Sequence, residues 1–310
     1  MGSGAFVTVA PWNEWLVALM YDPKQGEPDL SDETLRRRIH QIIGDDTVDI
    51  EIQNVGKWLM NGQIASSYST DRIFCLGDAV HRHSPANGLG LNISMLDAYN
   101  LAWKLKLVLS GIADPILLRS YNAERQPVGR NVIRRSMQTV REAANIPAAL
   151  GYRPGQNREE RELQVREFTA PTDSGAAAHA QVTDPTGRLQ STIDVAAGGA
   201  FHLLTGPGGD AWRAACDEIT ERTGLDIKVT SIGPGCSFGD PYGEWRRIRG
   251  VGDSGAVLVR PDGHVAWRTP GVDEKQSQAL HDAVTLLLGR DSVASPEDSH
   301  DLSRTAQLSH

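Results

Sequence analysis

Cysteine and long apolar runs are scarce in this sequence of 310 residues. Its three cysteines, Cys75, Cys216 and Cys236, form no C-x-x-C pair and match no zinc-binding spacing, which favours a reduced compartment. No apolar stretch approaches the ~20 residues that a membrane helix needs, and no basic segment followed by an apolar one opens the chain. These features predict a cytoplasmic protein without a membrane partner.

Basic residues are also fewer than acidic ones. Lysine and arginine number 31 against 39 aspartates and glutamates, so the net charge is -8. This balance argues against nucleic acid or an anionic membrane surface as the main partner. The hydrophobic fraction of 40% and the charged fraction of 23% are typical of a globular protein. A chain of this length suggests about two domains.

The first part of the chain combines extended segments with one helix. Residues 5–9 and 15–21 have strand-like patterns on either side of a turn that contains proline. A helix is predicted from Ser31, whose hydroxyl can cap its first turn. Residues 47–59 alternate apolar and polar positions, which predicts an extended segment. Residues 72–76 form a short apolar run that predicts a buried strand leading into a loop.

A long helix is predicted to begin near Leu91, because its apolar residues recur at spacings of four and three. Pro115 is expected to start a short helix after it, and Pro127 a further one. The apolar stripe of the long helix comprises Met95, Ala98, Ala102, Leu105 and Leu109. Its more polar face comprises Asp97, Asn100 and Lys104.

A second pattern begins near Gly187. It predicts a strand at 200–204, a helix capped by Asp210, and a strand at 227–232. Two further strands flank a hairpin turn at 261–263, and a helix closes the pattern. This order is typical of a thioredoxin-like domain.

The segment from Gly77 to Asn92 carries the chemical signal. An acidic residue, Asp78, follows a predicted strand, and a loop with Gly88 and Gly90 leads into a helix N-terminus. Glycines let a backbone approach a flat ligand, and free N–H groups of a first helical turn suit an electron-rich oxygen. The residues alone leave two interpretations open: a site for a ligand with hydroxyls and delocalised negative charge, or an ordinary strand-to-helix connection.

The segment resembles the G-D motif of the class A FAD-dependent aromatic hydroxylases. That motif runs G-D-A-x-H, then proline, then G-x-G-x-N, and the helix continues it as D-x-x-N-L-x-W-K-L from Asp97 to Leu105. The segments at 11–15, 81–83 and 121–127 resemble the chlorophenol hydroxylase branch of this family. The segments at 260–263 and 267–268 resemble the family's thioredoxin-like domain. The resemblance covers nearly the whole chain.

The resemblance implies how the cofactor is held. Asp78 would bind the ribityl hydroxyls of FAD, and Pro85 would lie near the reactive edge of the isoalloxazine. The backbone of the first helical turn would face the N1/O2 side of the ring. The implied cofactor-binding residues are Gly77, Asp78, Pro85, Gly88, Gly90, Leu91 and Asn92.

The implied reaction is the hydroxylation of a phenolic aromatic substrate. NAD(P)H would reduce FAD, O2 would form a flavin C4a-hydroperoxide, and this species would hydroxylate the phenol. The residues point to no catalytic base. A homodimer is compatible with the resemblance.

The family's G-x-G-x-x-G motif, which holds the pyrophosphate of FAD, does not open this sequence. The expected fold class is therefore α/β, the C-terminal part of a Rossmann-like FAD/NAD(P)-binding hydroxylase followed by a thioredoxin-like domain. The expected divisions are substrate-domain strands at 1–70, FAD-binding domain at 71–150, linker at 151–186, thioredoxin-like domain at 187–292 and disordered tail at 293–310.

A second hypothesis is a non-catalytic fragment that acts as a binding or assembly module through its thioredoxin-like domain. For His81 and His83, a metal site is the weaker alternative, because no third ligand has a convincing spacing. For Cys216 and Cys236, an inert structural role is favoured over a disulfide or redox pair.

Aromatic and basic residues leave two further alternatives open. Trp12, Trp15 and Trp58 could line an aromatic pocket or belong to the core. An arginine cluster could attract an anionic cofactor, but a solvated helix face with local salt bridges is favoured. The cluster comprises Arg119, Arg125, Arg130, Arg134 and Arg135.

Overall fold

The computed structural model describes residues 4–59, 61–85, 88–144, 177–271 and 274–290. The chain divides into two compact units, Met1–Met60 and Asn61–His310. The predicted linker at 151–186 lies outside the described residues up to position 176, and the predicted tail at 293–310 lies wholly outside them.

The first unit contains an antiparallel hairpin. Its strands are β1 (Gly4–Ala10) and β2 (Glu14–Leu19). Trp12 in the connecting turn has a φ of 71°, a left-handed conformation that few residues other than glycine adopt. The predicted hairpin is confirmed.

Helix α1 (Asp32–Ile43) follows and ends at Gly44, which has a φ of 77°. The predicted helix is confirmed, but the predicted cap is wrong. The Ser31 hydroxyl donates to Asp29 Oδ2 at 3.0 Å, and it accepts no hydrogen bond from the helix.

Two stretches that were predicted to be extended form no strand. Residues 47–59 contain no regular element, and residues 72–76 contribute one isolated bridge, between Ser69 and Phe74. Ile73 is 66% exposed. A strand needs a neighbour along its length for its backbone N–H and C=O groups. Residues 72–76 have one only around the Ser69–Phe74 bridge, through the hydrogen bonds from Cys75 N to Tyr68 O and from Thr70 N to Ile73 O, and no described strand pairs with residues 47–59. Both predictions of regular strands are therefore wrong.

The three tryptophans with alternative interpretations are all exposed. The exposed fraction is 90% for Trp12, 45% for Trp15 and 62% for Trp58. None of them is a core residue of its unit.

The second unit opens with two short antiparallel strands, β3 (Gln63–Ile64) and β4 (His81–Arg82). A 3-10 turn at Gly77–Ala79 precedes β4. Helix α2 (Gly90–Leu109) follows, and a 3-10 turn at Pro115–Leu118 comes next. The predicted start at Pro115 is confirmed.

Helix α2 reverses the predicted assignment of its faces. Its polar residues Asp97, Asn100 and Lys104 are buried, whereas Met95 and Leu109 of the apolar stripe are 57% and 83% exposed. Burial of polar side chains is tolerated because each one meets a polar partner from another part of the unit.

Helix α3 (Arg119–Ala144) runs through Pro127, so the prediction that this proline starts a helix is wrong. Proline removes one backbone donor, but buried contacts hold the helix nearby. At Gly129, an added Cβ would overlap the hydroxyl of the buried Tyr68, so this contact requires glycine. Arg125 is 5% exposed and contradicts the prediction of a solvated arginine face at its position.

The C-terminal part begins with a small antiparallel pair, β5 (Gln181–Thr183) and β6 (Leu189–Ser191). A short helix, α4 (Thr192–Val195), follows directly. Val182 is fully buried in the core of this part.

A four-stranded mixed sheet forms the centre of the C-terminal part. Its strands are β7 (Phe201–Thr205), β8 (Ile227–Ser231), β9 (Ala256–Val259) and β10 (Val265–Thr269). The spatial order is β10, β9, β7, β8, with β7 parallel to β8 and antiparallel to β9. The four predicted strands and the hairpin between β9 and β10 are confirmed.

Three helices accompany this sheet: α5 (Ala211–Thr223), α6 (Glu244–Ile248) and α7 (Glu274–Leu287). Asp210 stands at the start of α5, but its side chain makes no cap hydrogen bond, so that predicted cap is wrong.

The two faces of the sheet bury different sets of apolar side chains. Leu203 of β7 belongs to one cluster, and the next residue, Leu204, belongs to the other, as strand alternation requires. Trp103 of α2 belongs to the first cluster, together with Trp212 of α5. Helix α2 therefore shares a core with the C-terminal sheet.

Candidate functional site

The predicted cofactor site begins at the 3-10 turn. Gly77 has a φ of 60°, and an added Cβ would lie 2.9 Å from Ser94 Oγ of α2, so both the conformation and the close approach require glycine. Asp78 is exposed, and its carboxylate makes no hydrogen bond to any of the described residues. The carboxylate is therefore free to accept hydrogen bonds from hydroxyl groups of a ligand.

The N-terminus of α2 is the second component. No side chain caps this helix at Leu89, and Gly88 before it has a φ of 61°. Among the described residues, no group accepts a hydrogen bond from the first-turn amides of Gly90, Leu91 and Asn92, so these amides are candidate donors to a ligand. The helix dipole adds partial positive charge at this end, which suits an oxygen that carries negative charge.

The loop between β4 and α2 carries His83 and Pro85. His83 Nδ1 donates to the carbonyl oxygen of Ser84 at 2.7 Å, and the ring edge with Nε2 lies 3.7 Å from the Cβ position of Gly90. Pro85 is exposed, and residues 86–87 lie outside the described residues.

The seven predicted cofactor residues lie in the connection that runs from the 3-10 turn at Gly77 through β4 to the first turn of α2. Their individual roles stay predictions. They are Gly77, Asp78, Pro85, Gly88, Gly90, Leu91 and Asn92.

A buried carboxylate that sequence reasoning did not single out lies beneath this connection. Asp97 of α2 is fully buried. Its Oδ2 accepts from His81 Nε2 at 2.7 Å and from the Gly77 amide at 3.3 Å, and its Oδ1 accepts from Arg125 Nε at 2.7 Å. The sequence signal was the Asp of D-x-x-N, which was assigned to a polar face of the helix.

A second buried polar network joins α3 to the C-terminal part. Arg260 donates from both terminal nitrogens to the two carboxylate oxygens of Glu124, each at 2.8 Å. The same guanidinium donates to Asp262 Oδ2 at 2.6 Å and to its Oδ1 at 3.0 Å. Bidentate contacts of this kind are the stronger class of ion pair.

Helix α2 contributes three donors to the same network. Asn100 Nδ2 donates to Glu124 Oε2 at 2.7 Å and to Asp262 Oδ2 at 2.9 Å. Trp103 Nε1 donates to Asp262 Oδ2 at 3.1 Å. Lys104 Nζ, which is fully buried, lies 2.9 Å from Asn100 Oδ1 and 3.1 Å from Glu124 Oε2. This side of α2 therefore makes its polar contacts with α3 and the C-terminal part.

The network shifts the pKa of its members. Burial alone would raise the pKa of Glu124, but the hydrogen bonds from Arg260 outweigh it and lower that pKa to about 2. Burial lowers the pKa of Lys104 to about 8, against the opposing attraction of Glu124. Burial would also raise the pKa of Asp262, yet the hydrogen bonds from His264 and Arg260 hold it far below its ordinary value.

Glu124→Gln is expected to have a lower free energy of unfolding than wild type at neutral pH. This difference is expected to shrink in acid. The Glu124 pKa falls from an ordinary 4.5 to about 2 in the folded state. Its stabilisation is therefore fully present above about pH 4.5 and lost as the pH falls toward 2. The carboxylate is 32% exposed, so we expect a discounted difference of about 2 kcal/mol at pH 6.

Urea unfolding of wild type and variant at pH 6, 4 and 3 measures this difference. The gap should narrow steadily as the pH falls. Substitution of the exposed Glu221 by glutamine serves as the control and should give no comparable change. A gap that stays constant from pH 6 to pH 3 would contradict the assignment.

The described residues bear on the remaining alternatives for the cysteines and histidines. Cys75, Cys216 and Cys236 are all free thiols, which contradicts a Cys216–Cys236 disulfide. Burial raises the pKa of Cys216 to about 12. Among the described residues, no three His, Cys, Asp or Glu side chains form a group that could hold a metal ion, and this includes the surroundings of His81 and His83. None of the described helices is long and apolar enough to cross a membrane.

Comparison with known proteins agrees with this arrangement. A model of the FAD binding domain matches residues 2–136, and a model of the aromatic-ring hydroxylase C-terminal domain matches residues 174–291. The chain is 34% identical to the 2,4-dichlorophenol 6-monooxygenase of Cupriavidus pinatubonensis. That alignment covers 95% of the chain and 59% of the relative. The chain belongs to the class A FAD-dependent aromatic hydroxylases.

Other members of the family extend the comparison. The phenol 2-monooxygenase of a Pseudomonas species is 32% identical over 89% of the chain and 55% of that enzyme. The crystal structure of the flavin-dependent monooxygenase PieE with FAD and substrate has a TM-score of 0.77 at 35% identity and covers 93% of the chain. The chain spans 59% of PieE and a little over half of the curated relatives it matches.

The described residues of this chain fit the flavin half of FAD. A free carboxylate, Asp78, suits the hydroxyls of a ribityl chain, and an uncapped helix N-terminus suits the electron-rich side of an isoalloxazine. Gly88, which is exposed, has a φ of 61° and no described atom within 4 Å of its Cβ position, so the backbone there is open to a flat ligand.

Proposed function

We propose that this chain forms the flavin-facing and C-terminal part of an FAD-dependent monooxygenase. The whole protein would hydroxylate a phenolic aromatic substrate with NAD(P)H and O2. The observation that carries the proposal is the free Asp78 carboxylate next to the uncapped N-terminus of α2. Family membership supports it, as do the relatives, which are named as dichlorophenol and phenol monooxygenases.

Each site residue has a proposed part in holding the flavin. Asp78 accepts hydrogen bonds from the ribityl hydroxyls. The amides of Gly90, Leu91 and Asn92 donate to the N1/O2 side of the ring, where negative charge accumulates on reduction. Pro85 lies near the reactive edge and helps to keep water away from it. Bound FAD supplies the redox and oxygen chemistry of the reaction.

The C-terminal part is proposed to be a thioredoxin-like domain at 187–292 without redox activity. Its mixed sheet with flanking helices supports the fold, and its buried, unpaired Cys216 supports the lack of redox activity. The remaining proposed divisions are substrate-domain strands at 1–70, FAD-binding domain at 71–150 and linker at 151–186. A cytoplasmic location and a homodimer complete the proposal.

Flavin titration tests the proposal directly. We expect the purified chain to quench the fluorescence of added FAD, and of riboflavin, which has the ribityl chain but no ADP half. Asp78→Ala should weaken riboflavin binding by about 10- to 100-fold, because hydrogen bonds to a charged acceptor are lost. The Asp217→Ala substitution on the exposed face of α5 is the matched control and should leave the affinity unchanged.

The same preparation distinguishes the enzyme from the alternative hypothesis of a non-catalytic assembly module. Oxidation of NAD(P)H that a phenol stimulates would support the enzyme. A chain that takes up neither FAD nor riboflavin would contradict the proposal.

A further inference from the structure

The buried carboxylate of Asp97 connects four separate segments of the second unit. It lies on α2, and its three donors come from the 3-10 turn, from β4 and from α3. Asp97 and His81 have fully buried side chains, and the Arg125 side chain is 6% exposed. This is a built polar cluster at the base of the connection that carries Asp78.

Three hydrogen bonds of this cluster converge on Asp97. His81 donates to the carboxylate from Nε2 and Arg125 from Nε. His81 Nδ1 and Arg125 Nη2 are buried without a hydrogen-bond partner among the described residues. Burial alone would raise the pKa of Asp97, but the hydrogen bonds from His81 and Arg125 outweigh it and lower that pKa below its ordinary value. The carboxylate is therefore charged at neutral pH, which strengthens each of its hydrogen bonds.

The backbone contact gives this cluster a specific consequence. The Gly77 amide that donates to Asp97 Oδ2 belongs to the residue immediately before Asp78. Gly77 has a left-handed conformation, and its position is limited on the other side by Ser94. The carboxylate thus holds the turn at the Leu76–Gly77 peptide, one residue before Asp78.

We propose that Asp97 is a positioning residue for flavin binding, which acts by fixing the turn at Gly77 so that Asp78 meets the ribityl chain. The inference rests on the proposed function, because it needs a flavin at this connection. Asp97 itself touches no ligand. His81 and Arg125 hold Asp97 in place through their hydrogen bonds, so any effect of these two residues on flavin binding is expected to act through Asp97.

A double-mutant cycle separates positioning from a merely structural role. Asp97→Asn is expected to weaken riboflavin binding by about 5- to 50-fold, the range of coupling between residues of one network. In the Asp78→Ala background the same substitution should have almost no further effect. Additive losses in the double variant would overturn the inference.

Lumiflavin, which has the isoalloxazine ring without a ribityl chain, provides the second readout. Asp97→Asn should change lumiflavin binding by less than about twofold, because the contact that it misplaces involves only the ribityl hydroxyls. Equal losses for riboflavin and lumiflavin would show general damage to the site and would contradict positioning.

Two substitutions at His81 keep the inference testable if Asp97→Asn does not fold. His81→Gln retains a donor for Asp97 and is expected to preserve the preference for riboflavin over lumiflavin. His81→Leu removes the donor and should reduce that preference. Identical preferences in the two variants would overturn the inference.

Glu124→Gln is the matched control, because Glu124 is a second carboxylate that contacts α2 but serves the C-terminal part. It should lower stability and leave the riboflavin preference unchanged. A wild-type chain that binds no flavin would overturn the proposed function and this inference together. Flavin binding by wild type with an unchanged preference in Asp97→Asn would overturn the inference alone.

Discussion

Replacement of Asp262 by alanine is expected to lower the free energy of unfolding by about 3–4 kcal/mol. Asp262 is 8% exposed, and its carboxylate accepts hydrogen bonds from Arg260, Asn100 and Trp103. Its removal leaves the guanidinium with Glu124 as its remaining acidic partner and deprives the buried Trp103 N–H of its acceptor. Uncompensated buried donors are costly because they have lost their hydration.

Urea unfolding followed by circular dichroism measures this loss. Asp262→Asn retains one oxygen acceptor and should fall between wild type and Asp262→Ala. The matched control is Asp32→Ala on α1, whose carboxylate is 67% exposed and lies 3.4 Å from Arg36. Exposed pairs of this kind contribute about 0–1 kcal/mol. If Asp262→Ala were no more destabilising than this control, the network would not hold the C-terminal part.

Replacement of Trp103 by alanine is expected to cost about 3–5 kcal/mol, the range for large-to-small substitutions of buried aromatic residues. Trp103 is 5% exposed at the place where α2 meets the C-terminal sheet. Its ring meets Phe201 edge to face with centroids 5.6 Å apart, and Arg260 Cζ lies 5.2 Å from its centroid. Loss of the indole removes packing, a cation–π contact and one hydrogen bond together.

Two companion substitutions separate these contributions. Trp103→Phe keeps most of the apolar volume and should cost less than half as much as Trp103→Ala in the same unfolding experiment. Trp58→Ala, at a residue that is 62% exposed, should stay within about 0.5 kcal/mol of wild type. Equal effects of Trp103→Ala and Trp58→Ala would contradict a shared core between α2 and the sheet.

The C-terminal sheet was predictable because its signals are local. The apolar runs of β7, β8 and β9 are short, and the turn at 261–263 lies directly between β9 and β10. Residues 72–76 carried an equally apolar signal, but they pair with the chain only around the Ser69–Phe74 bridge, and no local pattern reveals how far a pairing extends.

The buried face of α2 was not predictable from its own residues. Periodicity assigned Asp97, Asn100 and Lys104 to a polar face, and a polar face is ordinarily solvated. Their partners lie elsewhere in the chain: Arg125 is 28 residues beyond Asp97, and Asp262 is 162 residues beyond Asn100. A pattern of single residues carries no information about such pairs.

The motif predicted where the candidate site lies. It did not predict the buried contacts of Asp97 beneath the site. The G-D motif and the glycine spacing indicated where Asp78 and the first turn of α2 would lie. The third donor to Asp97 is a backbone amide, at Gly77, and backbone amides leave no mark in a sequence. The geometry beneath the motif therefore became visible only in three dimensions.

The long separation of Asn100 and Trp103 from Asp262 also has a consequence for synthesis of the chain. Both donors leave the ribosome 162 and 159 residues before their shared acceptor. Until then, this side of α2 has no carboxylate from the C-terminal part and stays in water. The helix can form early, but its polar side can be completed only after most of the chain has been translated. A nascent chain that stops before residue 262 would therefore expose this side of α2 to solvent and to chaperones.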